Sequence, residues 1–260
     1  MILLSFDIEE FDMPFEYGKE ISFADQMSIS IAGSTIILDL LDKHKIKATF
    51  FSTATFAIYA PEIINRIVVS GHEIASHTYY HSDFKIEHLK QSKEKLEEIT
   101  SQKILGFRMP RMQPVDEKEI FNAGYKYNSS INPTYIPGRY NNFNKPRTFF
   151  KQDNVWQIPA SVSPIIRFPL FWLSFHNLPL VLYKILSKWT LKNDKYLNIY
   201  FHPWEFTDLT DKPRFNFPNF VSKNTGDDMI RRMNDFIIWS KKNNFEFGTF
   251  SDLFNRFNLR

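Results

Sequence analysis

The stretch Ile2-Leu3-Leu4-Ser5-Phe6-Asp7-Ile8-Glu9 sets carboxylates directly behind a run, Ile2 to Phe6, that reads as a buried strand. The same arrangement returns along the chain. Glu73-Ile74-Ala75 reads as a short strand with His77 at its C-terminal end, Ile104 to Phe107 carries Arg108 at its exit, and Leu197 to Phe201 carries His202. Helical signals lie between these strands. Ser30 to Lys43 holds Ile36, Ile37, Leu40 and Leu41 near helical spacing, ahead of a second strand at Ala48-Thr49-Phe50-Phe51. Pro61 to Val69 begins on a proline and is stopped by Gly71, and Ile86 to Ile99 is amphipathic with interspersed Lys and Glu. This alternation predicts an α/β fold with a largely parallel sheet. In such folds ligands and catalytic groups gather at the carboxyl ends of the strands, where loops converge on a rigid frame. Asp7, His77, Arg108 and His202 are therefore expected to meet in space.

The 260 residues suit one α/β barrel or sandwich as readily as two ordinary domains, but no internal linker interrupts them, so a single domain over residues 1–260 is expected. Hydrophobic residues make up 43% and aromatics 17%, enough for a large core and too many for a disordered chain. The net charge of +3 comes from Lys and Arg interspersed with acids, which is not a nucleic-acid footprint, and no nucleic-acid partner is expected. There is no cysteine, which excludes disulfides, thiolate metal sites and thiol nucleophiles. Any metal must use His and carboxylate. The N-terminal residues reach Asp7, Glu9 and Glu10 without the basic region and long apolar core of a signal peptide, so a cytoplasmic protein is expected.

Chemically, the fragments Asp7-Ile8-Glu9, His77-Thr78-Tyr79-Tyr80-His81, Arg108-Met109-Pro110 and His202-Pro203-Trp204-Glu205 supply a candidate for every role in a metal hydrolase. Such a site needs oxygen or nitrogen ligands, a base to take a proton from water and an acid to return one. On a helical turn, residues four apart point the same way with Cβ atoms about 5–6 Å apart, so His77 and His81 can reach one ion. On spacing alone a structural histidine pair is the commoner outcome; the flanking fragments reverse that weighting.

These fragments resemble, in order and type, the polysaccharide deacetylase (NodB-homology) family, carbohydrate esterase family four. The resemblance runs from Ser5 to about Phe250, with Ser5-Phe6-Asp7-Ile8-Glu9 similar to the first motif, Ser76 to His81 to the second and Phe107-Arg108-Met109-Pro110-Arg111 to the third. Tyr127-Asn128-Ser129-Ser130 and Tyr200-Phe201-His202-Pro203-Trp204-Glu205 resemble a branch associated with surface-polysaccharide synthesis. The family implies a distorted (β/α) barrel with fewer strands than a closed eight-fold barrel. It also implies Asp7 as general base, Arg108 as its charged partner, the Arg111 backbone N–H as an oxyanion donor and His202 as general acid. Glu9, His77 and His81 would be ligands of a divalent metal, zinc being the expected ion. The commoner Asp-Asp pair is replaced, since Ile8 follows Asp7; Glu9 is the better ligand candidate, with Glu10 and then Asp12 behind it. Asn128 stands where relatives of this branch often have an aspartate. The Arg111 side chain, replacing an aromatic, is expected to be available to a charged substrate, and Trp204 offers a face for stacking on a sugar. The other histidines, His44, His72, His88 and His176, match no motif and read as structural or exposed.

The function implied is removal of N-acetyl groups from an amino sugar in a cell-surface glycan or its precursor. Two alternatives stand beside it: hydrolysis of another non-peptide C–N bond on the same site, and a catalytically inactive glycan-binding or assembly protein. The apolar region Ile158 to Leu191 is interrupted by Pro169, Pro179 and Arg167, so it lacks the ~20 apolar residues of a bilayer span. It reads as a core helix with a covering loop, or as a patch for a membrane surface, a lipid-linked glycan or a partner subunit. Asn132 to Asn154 reads as a loop that shapes the pocket or an oligomer contact.

Overall fold

The computed structural model of the chain describes residues 1–259. Its strands are β1 (Ile2–Ile8), β2 (Thr49–Ser52), β3 (Glu73–Ser76), β4 (Gly106–Phe107), β5 (Tyr127–Asn128), β6 (Tyr135–Ile136), β7 (Tyr140–Asn141), β8 (Phe150–Gln152), β9 (Val155–Gln157), β10 (Leu197–Phe201) and β11 (Phe247–Gly248). Eight of them run in the order β10-β1-β2-β3-β4-β5-β9-β8, all pairings parallel except β8 with β9. β11 joins β1 at Ile2 and Leu3, while β6 and β7 form a separate antiparallel hairpin.

The sheet curls into a barrel. In a flat sheet β10 and β5 would lie roughly 24 Å apart, five strand spacings. Instead Asn198 of β10 donates from Nδ2 to the Oγ of Ser129, directly after β5, at 3.1 Å. Closure is completed by chain rather than by a strand. After β9, Asn198 also donates to the carbonyl oxygens of Ile158 and Pro159, and the Ser161 N–H donates to the Asn198 carbonyl oxygen at 2.8 Å. The expected distorted barrel is therefore present, together with a mixed α/β layer around it.

Strand periodicity sorts β1 between two environments. Ile2, Leu4, Phe6 and Ile8 pack outward under the helices, whereas Leu3, Ser5 and Asp7 face the barrel interior. The interior is layered. Leu3, Phe51 and Tyr127 pack on Phe250 and Leu253 of the helix Phe250–Phe257, which closes the barrel floor. Ser5, Arg108, Ser129 and Asn198 form a polar middle layer, and Asp7 lies above them towards the C-terminal ends.

Element boundaries depart from the sequence expectation where local polarity hid the signal. β1 extends to Ile8, so Asp7 sits inside the strand rather than behind it. The first long helix spans Phe23–His44 and starts before Ser30, because Ser22 caps it by accepting from the Asp25 N–H at 3.1 Å. Its end is set by Lys45 in the left-handed region. The helix Pro61–Val69 and strand β10 match their expected bounds. The Ile158 to Leu191 region contains helices Trp172–Asn177 and Leu180–Asp194; the second buries Tyr183, Ser187 and Leu191 and leaves Val181 and Ile185 exposed. Among the described residues no helix is long and apolar enough to cross a membrane.

One close approach fixes the helix Phe23–His44 against the C-terminal end of β10. Gly33 faces the backbone of Pro203, and a Cβ there would meet the Pro203 carbonyl oxygen at 1.9 Å. Either the helix or the turn that carries His202 must move to admit a methyl group. Gly33→Ala is expected to cost about 1–3 kcal/mol, the usual range for overpacking, and to lower the thermal midpoint. An unchanged midpoint in calorimetry would show that this contact is not tight.

Candidate active site

Arg108 follows β4 and is fully buried, yet every part of its guanidinium is engaged. Nη1 donates to Asp7 Oδ1 at 2.6 Å and to Ser5 Oγ at 3.0 Å, while Nε and Nη2 donate to the carbonyl oxygen and Oγ of Ser129 at 3.1 and 3.0 Å. The plane rests on the Phe51 ring, 4.0 Å from its centroid. The pair is satisfied on the arginine side, which is the condition under which a buried charge is tolerated. Asp7 is thus held by one oxygen and presents the other, Oδ2, upward.

Above Asp7, three side chains turn toward one another. His77 Nε2 and His81 Nε2 lie 3.0 and 3.1 Å from Glu9 Oε2. Each ring is fixed from behind: His77 Nδ1 donates to the Arg108 carbonyl oxygen at 2.8 Å, and His81 Nδ1 donates to Asp12 Oδ1 at 2.7 Å. With both Nδ1 atoms protonated, the neutral rings aim Nε2 lone pairs at the carboxylate. Glu9 Oε2 is buried without a hydrogen-bond partner. Two imine nitrogens and a carboxylate oxygen facing each other repel unless a proton or a metal ion lies among them. Tetrahedral ligands about 2.0–2.1 Å from one centre stand roughly 3.3 Å apart, close to the distances here. Burial opposes charge on Glu9, but His81 and His77 outweigh it and bring its carboxyl down to about 2. Burial likewise opposes charge on His81, and Glu9 and Asp12 outweigh it, raising its affinity for a proton. The residues fit a divalent metal, with Asp12 acting through His81.

His77 and His81 do not share a helical turn, contrary to the expectation from their spacing. They sit on an irregular loop after β3 in which Thr78 has a φ of 68°. Thr78 Oγ1 donates to the Tyr80 carbonyl oxygen at 2.6 Å and so closes the loop that brings His81 back over His77. A tight loop has produced the convergence that a helix was expected to give.

On the other side of Asp7, His202 Nε2 stands 4.0 Å from Asp7 Oδ2. Its Nδ1 donates to Glu205 Oε1 at 2.9 Å, and the same oxygen accepts the His202 backbone N–H at 2.6 Å. Glu205 Oε2 is held in turn by His176 Nε2 at 2.8 Å. Burial resists ionisation of both members of the pair. The histidines nevertheless hold the Glu205 carboxyl below the ordinary range, and Glu205, Glu9 and Asp7 raise His202 above the ordinary imidazole value. Trp204 stacks on the imidazole at 4.7 Å and Trp172 meets it edge-on at 5.6 Å.

Asp7, Glu9, His77, His81, Arg111, His202 and Trp204 all line one cleft of about 430 Å³, with Arg108 behind Asp7. The β6–β7 hairpin overhangs it through Ile136, Pro137, Arg139 and Tyr140, so part of the Asn132 to Asn154 segment shapes the pocket. Two expectations change. The Arg111 guanidinium is already taken by Glu16 at 2.6 Å and Asp12 at 3.3 Å, so two carboxylates occupy the charge expected to meet a substrate. Trp204 is only 3% exposed and gives one face to His202, which leaves it packing the imidazole rather than offering an open platform. Glu10 turns away from the histidines to accept from Thr53 Oγ1 at 2.6 Å. Asn128 is buried against Gln157 and bonds Ser130, whose Oγ accepts the Met109 N–H at 2.8 Å. An uncharged amide there braces the third motif from below.

Sequence reading missed His176, which lies in an aromatic run on a short helix and is fully buried. Its link to Glu205 is purely tertiary. The only local signal is a polar ring inside an otherwise apolar segment.

Residues 25–127 match the family model described as polysaccharide deacetylase. A chitooligosaccharide deacetylase of Bradyrhizobium sp. (strain ANU 289) is 47% identical over 47 residues, 18% of this chain and 22% of that protein. The peptidoglycan-N-acetylmuramic acid deacetylase PdaA of Bacillus subtilis (strain 168) is 33% identical over 72 residues, 27% of each. The chain thus spans about a quarter of the length of the curated relatives it matches. Among solved structures, a polysaccharide deacetylase-type protein from Mycobacterium smegmatis shares the fold with a TM-score of 0.64 and 18% identity, covering 98% of this chain and 88% of that one. Residues 25–127 thus match the polysaccharide deacetylase model, and the chain as a whole shares the curled barrel of the Mycobacterium smegmatis structure.

Proposed function

We propose that residues 1–260 act as one catalytic domain, a metal-dependent carbohydrate N-deacetylase that removes an acetyl group from an amino sugar in a cell-surface glycan or its precursor. The single-domain reading is supported by β1, which pairs with both β10 and β11. The observation that carries the function is the convergence of Glu9 Oε2 with the Nε2 atoms of His77 and His81, beside a buried carboxylate and a histidine–glutamate pair. Relatives named as deacetylases of chitooligosaccharides and peptidoglycan support the substrate class, and His202-Pro203-Trp204-Glu205 supports the surface-polysaccharide branch.

Glu9, His77 and His81 would hold the divalent ion, zinc by their mixture of imidazole and carboxylate, and such an ion supplies Lewis-acid polarisation of an amide carbonyl. The remaining roles fall to the chain. Asp7 Oδ2 takes the proton of the attacking water, since Oδ1 is held by Arg108. The Arg111 backbone N–H receives the developing oxyanion. As the C–N bond breaks, His202 Nε2 gives its proton to the departing amine, leaving acetate and a free amino sugar. Glu205 fixes the tautomer by holding Nδ1, His176 steadies Glu205, and the two tryptophans keep water off the imidazole.

The direct test is acetate release from a panel of N-acetylated sugars and glycans by metal-loaded and chelated protein. Chelator-sensitive release is expected; a protein that takes up no metal even on reconstitution would move the assignment to a glycan-binding protein. Asp7→Asn should lower kcat by about 10²–10⁴ with metal content unchanged, and near-normal turnover would remove Asp7 from the mechanism. Asp12→Asn should weaken metal affinity by about 10–100-fold, read by competition with a chelating dye. For His202 as acid, a raised proton affinity places the alkaline fall of kcat/KM above the ordinary imidazole value of about 6.5. Glu205→Gln should draw that fall to lower pH, and an unmoved profile would dissociate the limb from His202.

A further inference from the structure

The helix Leu180–Asp194 has two apolar faces, and packing covers only one of them. Tyr183 and Leu191 are buried, while Val181 is 70% exposed, Ile185 59% and Leu182 42%. Val181 and Ile185 stand four residues apart and therefore share one patch on the helix surface.

The patch lies at the same end of the barrel as the candidate site. The helix leads into β10 through Lys195 and Tyr196 alone, so helix and strand run in opposite directions. At the foot of the helix, the Lys195 carbonyl oxygen accepts from the N-terminal amine of Met1, where β1 begins, at 2.9 Å. Just before its start, Asn177 Nδ2 donates to the Phe220 carbonyl oxygen at 2.8 Å. Phe220, 53% exposed, lines the candidate cleft together with Leu173. The first turns of the helix thus extend an apolar rim outward from the cleft.

Charge follows in a fixed order. Lys188 and Lys192 are exposed and continue the stripe that Val181 and Ile185 begin, Lys188 standing about 10 Å beyond Val181 along the helix axis. Residues 164–197 carry Arg167, Lys184, Lys188, Lys192 and Lys195 against a single acid, Asp194, which Arg147 already holds at 2.5 Å. An apolar tip above a cationic collar suits a bilayer surface: apolar side chains sink about 5–10 Å into the headgroup boundary, and the lysines meet lipid phosphates. A second copy of the chain fits poorly. Paired in parallel, two such helices set lysine against lysine; paired antiparallel, they set lysine against the apolar tip.

We propose that this end of the protein docks on an anionic bilayer through Val181, Leu182 and Ile185, with the cleft opening beside the lipid headgroups. The docking surface stands apart from the deacetylase reading. Its corollary, that the glycan acted on is carried by a lipid anchor, rests on that reading.

The experiment is flotation of metal-loaded protein with vesicles of phosphatidylcholine, or of phosphatidylcholine and phosphatidylglycerol in equal parts. Wild type is compared with Val181→Ser/Ile185→Ser and with Lys188→Gln/Lys192→Gln. All four side chains are exposed and none lines the cleft, so both variants should keep the wild-type thermal midpoint and wild-type acetate release from soluble glycans. Wild type is expected to float with the anionic vesicles and to bind the neutral ones at least about tenfold more weakly. The serine pair should lower partitioning about tenfold or more, and the glutamine pair roughly fivefold for each lysine neutralised. A wild type that ignores the anionic vesicles, or variants that bind them as well as wild type does, overturns the docking surface. So does a lipid-free dimer, seen by light scattering, that the serine pair converts to monomer. Vesicle binding without acetate release from any N-acetylated glycan of the panel keeps the surface and removes the deacetylase reading, and release without vesicle binding does the reverse.

Discussion

The barrel is organised around one buried cation. Arg108 leaves a strand of only two residues and reaches across the interior to Ser5 and Asp7 on β1 and to Ser129 behind β5. A guanidinium in that position needs partners on all three of its nitrogens, because removing one partner of a buried pair typically costs about 3–5 kcal/mol. Ser5 and Asp7 meet that need from β1 because both face inward, and Ser129 meets it from behind β5. The pairing also fixes which oxygen of Asp7 is free. The ordering of the candidate base is thus a by-product of neutralising the core.

A second constraint follows from where the imidazole protons go. Asp12, the Arg108 carbonyl oxygen and Glu205 each hold an Nδ1, on His81, His77 and His202 respectively. All three rings are therefore committed to presenting Nε2 to the same cleft. Two of those atoms face Glu9 and the third faces Asp7. The division between ligand and proton carrier is drawn by which carboxylate lies opposite, and all three rings use the same chemistry at the rear.

Much of this was legible in the chain. The four polar residues behind apolar runs do meet, because strand direction and side-chain alternation are local properties that a parallel sheet converts into proximity. His77 and His81 converge as their flanking fragments indicated, although a closed loop and not a helical turn brings them together. What escaped the sequence was tertiary in origin. The backing of Glu205 by His176 joins residues whose neighbours say nothing about each other. The pairing of Arg111 with Glu16 depends on a turn whose path has no sequence signature. Trp204, an exposed-looking aromatic in a motif, is buried because Phe11 and Trp172 pack around it.

The floor of the barrel has an implication for how the molecule comes into being. Ile2 of the first strand pairs with Leu197 and with Phe247, and the apolar layer beneath Asp7 is sealed by Phe250 and Leu253. β2 is made soon after β1 and can pair with it early, but synthesis must run on to β10 and β11 before the remaining pairings of β1 form. Contacts this remote in sequence close slowly, since loop entropy is lost before they form. During that interval one edge of β1 stays open and the apolar layer beneath Asp7 stays unsealed, and a nascent chain in this state is a natural client for chaperones.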